Sequence, residues 1–253
     1  MKLNRFSAFI RAISGLVLFS TMALTGCGSS DVVKSSDVNE SKIWRLYRVS
    51  YNENTQSTDI FAQFRVGGST GTTVTLEKPS SVSVIDTDLK LTGTEPKETS
   101  NFGSGYGWNL TGSPVSPSYK FKWTRQSGAV TEDTVTMPTN PALPLLYNSK
   151  FKLSDGITIA IDRDAQSAGG KVGATITGID KVSQQVISTF KSITSGYTVS
   201  FTPDEVASFA AGSAELTITT DVEKSASGAA SGSLGGTTYA TYWRNPAAIT
   251  LTR

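Results

Sequence analysis

Histidine is absent from this chain of 253 residues, and cysteine occurs once, at Cys27. The lack of histidine excludes Ser-His-Asp and Cys-His nucleophile systems, together with metal sites that use imidazole ligands. A single cysteine excludes a disulfide within the chain. Any enzyme of this composition would depend on carboxylates, lysine, tyrosine or a Ser-Lys pair. We therefore expect a non-enzymatic protein without a cofactor or metal, and a carboxylate-dependent enzyme such as a glycoside hydrolase is the alternative.

The N-terminal residues have the features of an export signal. Lys2, Arg5 and Arg11 form a basic start, and an apolar run follows over residues 12–24. This run is well short of the roughly 20 apolar residues that span a bilayer. We therefore expect residues 1–26 to be cleaved as a signal peptide rather than kept as a membrane-spanning helix.

Leu24, Thr25 and Gly26 lead directly into the single cysteine, Cys27. This tetrapeptide resembles the lipobox of bacterial lipoproteins. The resemblance implies that the Cys27 thiol receives a diacylglycerol and that the new amine is acylated, with palmitate as the typical chain. Three acyl chains would anchor the protein stably in a membrane. Because Gly28 rather than aspartate follows the cysteine, the resemblance favours the outer membrane of a Gram-negative cell envelope.

Removal of the leader changes the charge balance. The whole chain has 23 lysines and arginines against 21 acidic residues, a net charge of +2. The leader carries three basic and no acidic residues, which leaves 20 against 21, a net charge of −1. No clustered basic face is indicated, and we expect no nucleic-acid partner.

The stretch at 27–42 is polar and contains few apolar side chains. A segment of this composition does not bury enough surface to fold by itself. It is therefore expected to be a flexible tether between the lipidated cysteine and the rest of the chain.

From Ile43 onward, apolar and polar residues alternate in short runs, and this period of two is typical of half-buried strands in antiparallel sheets. The clearest runs carry their apolar residues at Ile60, Ala62, Phe64 and Val66; Tyr119, Phe121 and Trp123; Ile157, Ile159 and Ile161; and Tyr197, Val199 and Phe201. Further strands are predicted at 72–76, 82–85, 134–137, 172–176, 186–190, 215–222, 238–243 and 248–252.

Three of the nine prolines fall within residues 137–144, and proline can continue neither a central strand nor a helix. We place a domain boundary there. The sequence thus predicts an all-β protein with two tandem antiparallel β-sandwich domains, residues 43–140 and 145–253. The Cys and Trp spacing of true immunoglobulin domains is missing, so "immunoglobulin-like" describes the architecture only.

Thr202, Pro203 and Glu205 predict one helical turn, because they form a capping box with proline at the first helical position. The chain contains, in this order, the lipobox, the proline-marked crossover, this turn, a strand at 211–218 and a Gly/Ser-rich loop at 225–236. This order resembles uncharacterised proteobacterial lipoproteins with tandem immunoglobulin-like sandwiches. The resemblance covers most of the chain after the leader and implies no catalytic residues.

The segment at 103–108 is glycine-rich but lacks the Lys-Ser/Thr pair and the following helix of a phosphate loop. Its aromatic residues, with the one before it, suggest a flat platform for a sugar ring or an apolar peptide. The candidate ligand-binding residues are Phe102, Tyr106 and Trp108. A second aromatic set lies in the strand predicted at 238–243, where alternate rings normally fill a core: Tyr239, Tyr242 and Trp243.

Two acidic pairs, Asp86 with Asp88 and Asp162 with Asp164, have the carboxylates that calcium takes from loops. Each pair lacks further oxygen ligands, so no metal site is predicted. Residues 188–191 match the S-x-x-K motif of serine penicillin-recognising enzymes. They lie in a strand pattern and have no K-T-G or S-D-N partner, so no catalytic residue is assigned.

Anchor, tether and composition together predict a lipid-anchored cell-envelope protein that acts as a non-enzymatic structural or recognition module. Its expected partners are the membrane, through the N-terminal lipid, and an envelope protein or a glycan. Long loops at the end of a sandwich are where such modules usually present binding residues.

Overall fold

The structure is a computed structural model that describes residues 32–86, 97–99, 105–112, 115–138, 149–161, 170–193, 196–226 and 234–253. Over these ranges the chain is all-β, as the alternating pattern predicts. Within these described ranges, one short α-helix and three turns of 3₁₀-helix accompany the strands. No helix in this part of the chain has the length and apolarity needed to cross a membrane.

The strands of the first half are β1 (Val32–Lys34), β2 (Ile43–Asn52), β3 (Ser57–Val66), β4 (Thr72–Thr75), β5 (Ser81–Asp86), β6 (Lys97–Thr99), β7 (Gly105–Thr111), β8 (Ser118–Thr124) and β9 (Val130–Thr136). Those of the second half are β10 (Lys150–Lys152), β11 (Ile157–Ala160), β12 (Lys171–Ile179), β13 (Val186–Ile193), β14 (Thr198–Phe201), β15 (Gly212–Ser225), β16 (Gly236–Trp243) and β17 (Ala247–Thr252). The helix α1 (Pro203–Val206) lies between β14 and β15.

A sheet of twelve strands takes elements from both halves of the chain. Its main path is β1-β4-β3-β2-β16-β15-β12-β13, and β6, β7, β10 and β17 pair alongside this path. A three-stranded sheet, β5-β8-β9, shares one core with this long sheet, and a two-stranded sheet, β11-β14, shares another. Each half therefore has two packed strand layers, which is the arrangement of a β-sandwich.

Parallel pairing joins the two halves. The β2 and β16 strands run in parallel, from Arg45 opposite Gly236 to Asn52 opposite Trp243. The β1-β4 and β10-β17 ladders are also parallel, and the other ladders are antiparallel as predicted. Residue alternation does not distinguish the two pairings, so the mixed sheet was not foreseeable. Residues 139–144 of the predicted boundary segment, 137–144, lie outside the described residues, and the division into two domains stays a prediction.

The core of the first half is aromatic. Tyr47 in β2 stacks on Phe121 in β8, with ring centroids 4.4 Å apart and planes inclined by 23°. Trp123 packs 5.4 Å from Phe64, centroid to centroid, and its indole Nε1 donates to Ser80 Oγ at 3.3 Å. These rings come from both sheets and are fully buried, so they hold the two layers together.

A buried ion pair crosses this aromatic core. Arg45 Nε in β2 lies 3.5 Å from Asp133 Oδ2 in β9, and neither side chain is more than 1% exposed. The Arg45 guanidinium also lies 5.5 Å from the centroid of the Trp123 ring. Because both charges have left water, each depends strongly on the other.

The core of the second half is mainly aliphatic. Ile157 and Ile159 from β11 pack with Ile176 from β12 and with the inner face of β15. The long strand β15 contributes Leu216 to this core and Val222 to the aromatic core of the first half. It therefore connects the two cores within one sheet.

The segment predicted as a flexible tether, residues 27–42, is folded where the structure describes it, from Val32 onward, and the prediction is corrected there. β1 pairs with β4, and Ser35 is buried with its Oγ accepting the Glu77 backbone N–H at 2.8 Å. Lys34 forms an ion pair with the Glu77 carboxylate at 2.9 Å. Apolar content alone does not predict that such a segment is folded, because backbone pairing and hydrogen bonds from polar side chains attach it to the rest of the protein.

The predicted strands are found with altered ends. β9 begins before residue 134, and β15 extends past both ends of its predicted range. The glycine-rich segment predicted as a loop is strand β7 from Gly105 onward, where it pairs with β3. Glycine is depleted in strands, but pairing with a long neighbour overrides this weak preference.

The capping box is confirmed. Thr202 Oγ1 accepts the Glu205 backbone N–H at 3.4 Å, and Glu205 Oε2 accepts the Thr202 backbone N–H at 2.7 Å. Pro203 occupies the first turn of α1. The Lys191 side chain in β13 donates to the same Glu205 carboxylate at 2.9 Å and ties the helix to the sheet.

Candidate ligand-binding face

Several predicted residues lie outside the described ranges: Leu24, Thr25, Gly26, Cys27, Phe102, Asp88, Asp162 and Asp164. The lipidation prediction is therefore untested by this structure. Among the residues that the structure does describe, no group of three or more Asp, Glu, His or Cys side chains could hold a metal ion.

Tyr106 and Trp108 lie in β7 and pack toward the aromatic core. Trp108 is only 8% exposed. The Tyr106 hydroxyl accepts the Leu76 backbone N–H at 2.6 Å, and its ring centroid lies 6.1 Å from that of Phe64. Ligand binding by the predicted aromatic set stays a prediction, but its two described rings are not exposed together.

The S-x-x-K residues lie in β13 without forming a catalytic pair. Ser188 and Lys191 are three residues apart in a strand, so their side chains leave on opposite faces. The Ser188 Oγ hydrogen-bonds with Thr177 Oγ1 at 3.0 Å, whereas Lys191 pairs with Glu205. The two side chains therefore do not meet as a Ser-Lys pair in this strand.

An open groove of about 320 Å³ lies on the outer face of the long sheet. Five adjacent strands, β2, β16, β15, β12 and β13, form it with the side chains that point away from the two cores. Its rings come from Phe190, Tyr239 and Trp243, its charges from Arg48 and Asp221, and its hydroxyls from Ser50, Thr175, Thr219 and Thr241. We call this feature the outer groove.

Trp243 stands at one edge of the outer groove, at the end of β16. Its indole Nε1 donates to Ser50 Oγ at 3.2 Å on the neighbouring strand β2. The side chain is nevertheless 42% exposed. The hydrogen bond fixes the orientation of the ring while part of its surface remains available to a ligand.

A polar cluster occupies the groove beside Trp243. Asp221 Oδ1 accepts the Thr241 hydroxyl at 2.8 Å across the β15-β16 pair. Burial raises the pKa of Tyr239, and the negative charge of Asp221 and a hydrogen bond with it act in the same direction. Tyr239 therefore stays a neutral hydroxyl over a wide pH range. The Arg48 guanidinium lies 5.0 Å from the centre of the Tyr239 ring, within cation-π range.

Phe190 forms the opposite edge of the outer groove, on β13. The ring is 62% exposed although it is a large apolar side chain. A Cβ atom on Gly173 would lie 2.6 Å from Phe190 Cε2 and 2.7 Å from Thr219 Oγ1. Only glycine at position 173 therefore lets the Phe190 ring lie close over β12.

Part of this face can be predicted from the sequence. Tyr239 and Trp243 belong to the aromatic set of the strand predicted at 238–243, and the structure separates them from Tyr242, which is buried in the aromatic core. The sequence does not predict the roles of Phe190 and Gly173, because a strand pattern does not say which face another layer covers. The signal available was the lone aromatic residue in β13, a strand otherwise rich in polar and β-branched residues. The fold and site define an all-β protein with an aromatic and polar groove on one sheet face.

Comparison of the chain with protein-family models and with curated proteins finds no match. Among solved structures, it is similar to a tetra-tandem repeat in the extending region of a large adhesion protein, at 17% identity over 80% of this chain and 50% of that one, with a TM-score of 0.20. It is also similar to the Bacteroides ovatus mixed-linkage glucan utilization locus protein SGBP-B in complex with a mixed-linkage heptasaccharide. There the identity is 11% over 78% of this chain and 53% of that one, with a TM-score of 0.22. The chain thus spans about half the length of each, and likenesses of this degree carry no argument about function.

Proposed function

We propose that this protein is a lipid-anchored recognition module of the cell envelope, and that the outer groove binds a glycan. The observation that carries the proposal is the combination of exposed ring surface at Phe190 and Trp243 with charged and hydroxyl groups between them. An apolar surface with a few well-placed polar groups is the usual composition of a ligand site.

The composition of the outer groove suits a carbohydrate better than an apolar peptide. A sugar ring has an apolar face that packs on an aromatic ring and a rim of hydroxyl groups that both donate and accept hydrogen bonds. Trp243 supplies ring surface, while Asp221 and Thr241 supply hydrogen-bonding groups a short distance away. A purely apolar partner would leave these polar groups unsatisfied on binding.

The direct test measures glycan binding by the purified full-length protein and its Trp243→Ala variant. A glycan array identifies the ligands, and calorimetry then gives the dissociation constants. We expect saturable binding, weakened by about tenfold or more in the variant because the exposed ring surface is lost.

The matched control is Tyr197→Ala, since Tyr197 is 49% exposed but does not line the outer groove. This variant should bind the same glycan with unchanged affinity. Equal losses in both variants, or no glycan captured from a broad array, would contradict the proposed glycan-binding function.

The lipid anchor rests on the sequence Leu24-Thr25-Gly26-Cys27. We expect metabolic labelling with a palmitate analogue to modify the protein and Cys27→Ala to abolish the label. The outer membrane is the proposed location, because Gly28 follows the cysteine. Recovery of the labelled protein in inner-membrane fractions alone would contradict that location, and absence of label in the unaltered protein would contradict the anchor.

A glycoside hydrolase is the second candidate function, and one observation favours it. Asp221 and Glu223 lie on the same face of β15, with Cα atoms about 7 Å apart for two strand residues. Such enzymes use two carboxyl groups about 5 to 10 Å apart, and side chains from two such positions can reach that separation. Glu223 does not line the groove, however, so binding without cleavage remains the proposal. Hydrolysis of a bound oligosaccharide that Asp221→Asn abolishes would establish the enzyme instead.

A further inference from the structure

The outer groove has a direction, which is set by its two exposed rings. Trp243 is opposite Thr219 in β15, Thr219 is opposite Gly173 in β12, and the Phe190 ring lies against Gly173 from β13. These residues form a line perpendicular to the strands. Neighbouring strands are about 4.8 Å apart, so the strands that carry the two rings are separated by about 14 Å.

The floor between the two rings is made of small residues. Thr175 and Thr219 line it, and Gly173 lies beneath the Phe190 ring at its edge. A ligand can therefore lie flat against the sheet from one ring to the other. The span is longer than one sugar ring and suits a short chain of them.

The charges around this line include no surplus of cations. Arg48 and Asp221 line the outer groove, and Lys171, Glu215 and Glu223 lie on the same face beside it by strand register. The described residues of the five groove strands thus place two cations and three anions on this face. A ligand with many carboxylates or sulfates would meet Asp221 and Glu223 without a compensating surplus of cations.

We propose that the outer groove binds a neutral oligosaccharide that crosses the strands from Phe190 to Trp243, with Gly173 beneath the Phe190 ring at one end of the path. This inference rests on the proposed glycan-binding function and narrows it in two ways. It requires a ligand without charge, and it requires a chain long enough to reach both rings.

The test uses calorimetry on the purified full-length protein with neutral gluco-, manno- and xylo-hexasaccharides and with an oligogalacturonide of equal length. We expect one or more neutral hexasaccharides to bind and the acidic one to bind at least tenfold more weakly. Shortening the preferred neutral chain to a disaccharide should weaken binding by about tenfold, because one ring contact is lost.

Gly173→Ala tests the position of the Phe190 ring, because a Cβ atom at this position would lie against the ring and against Thr219 Oγ1. The new methyl group would displace the Phe190 ring, so we expect affinity for the hexasaccharide to fall by about tenfold and affinity for the disaccharide to change less. If the alanine variant does not fold, as judged by its circular dichroism, Phe190→Ala replaces it and should give the same selective loss.

The outcomes separate this inference from the function on which it rests. Tighter binding of the oligogalacturonide that still depends on Trp243 would overturn neutrality and leave glycan binding intact. A disaccharide that binds as tightly as the hexasaccharide, with no effect of Phe190→Ala, would overturn the crossing path. If the unaltered protein binds no glycan in a way that depends on Trp243, the proposed function itself is contradicted.

Discussion

Two sets of aromatic residues in this molecule come from the same kind of strand pattern and have opposite environments. Tyr47, Phe121 and Trp123 are enclosed between the long sheet and β5-β8-β9. Phe190 and Trp243 stand on the outer face of the same long sheet and are 62% and 42% exposed. The strand sequence determines which residues share a face, whereas the layer that packs on that face determines whether they form a core or a binding surface.

The comparison can be tested first with Trp123→Ala, which should cause the largest loss of unfolding free energy. The substitution removes a fully buried indole that packs on Phe64 and bonds to Ser80. Truncation of a buried tryptophan costs about 3 to 5 kcal/mol of unfolding free energy. Chemical denaturation at room temperature measures it, and a loss below about 1 kcal/mol would show that the aromatic core does not hold the two layers together.

Asp133→Asn should cause the next largest loss of unfolding free energy. Its loss of charge leaves the Arg45 guanidinium buried beside a neutral amide, and breaking a buried ion pair costs about 3 to 5 kcal/mol. The double variant Arg45→Met with Asp133→Leu removes both charges and should recover most of this loss. If the double variant is no more stable than Asp133→Asn, the ion pair is not the source of the effect.

Trp243→Ala is the matched counterpart of Trp123→Ala and should have a much smaller effect on stability. The ring is half exposed, and one hydrogen bond to Ser50 is lost, so we expect about 1 kcal/mol or less. The same denaturation experiment measures it. A loss as large as that of Trp123→Ala would mean that the outer face is part of the core of the molecule rather than a binding surface.

Glu205→Gln should have the smallest effect on stability, and that effect should depend on pH. The backbone N–H of Thr202, followed by Lys191, holds the pKa of Glu205 below its usual value. A lowered pKa in the folded state means that the charged carboxylate stabilises the fold above the unfolded pKa, and this stabilisation is lost as pH falls through the folded pKa. The variant should therefore lose less stability than the unaltered protein between about pH 7 and about pH 3. Equal losses would place the acid sensitivity elsewhere.

The sequence predicted the all-β class, most of the strands and the capping box at Thr202, because these depend on local patterns. It did not predict the parallel pairing of β2 with β16, since partners far apart in the chain leave no local signal. It also took Gly105 to Trp108 for a loop, although pairing with β3 makes it a strand. The groove depends on that long-range pairing, so only its Tyr239 and Trp243 could be noticed beforehand.

The central claim is that ligand binding occurs on the outer face and not at the predicted aromatic segment, and the four tryptophans allow a direct test. The measurement is an NMR titration of the purified protein with the neutral hexasaccharide that binds most tightly, following the indole N–H signals. The account predicts that the Trp243 signal shifts to saturation while the signals of Trp108 and Trp123 stay in place. A saturating shift of the Trp108 signal with an unchanged Trp243 signal would contradict this account and would place the ligand-binding site at β7.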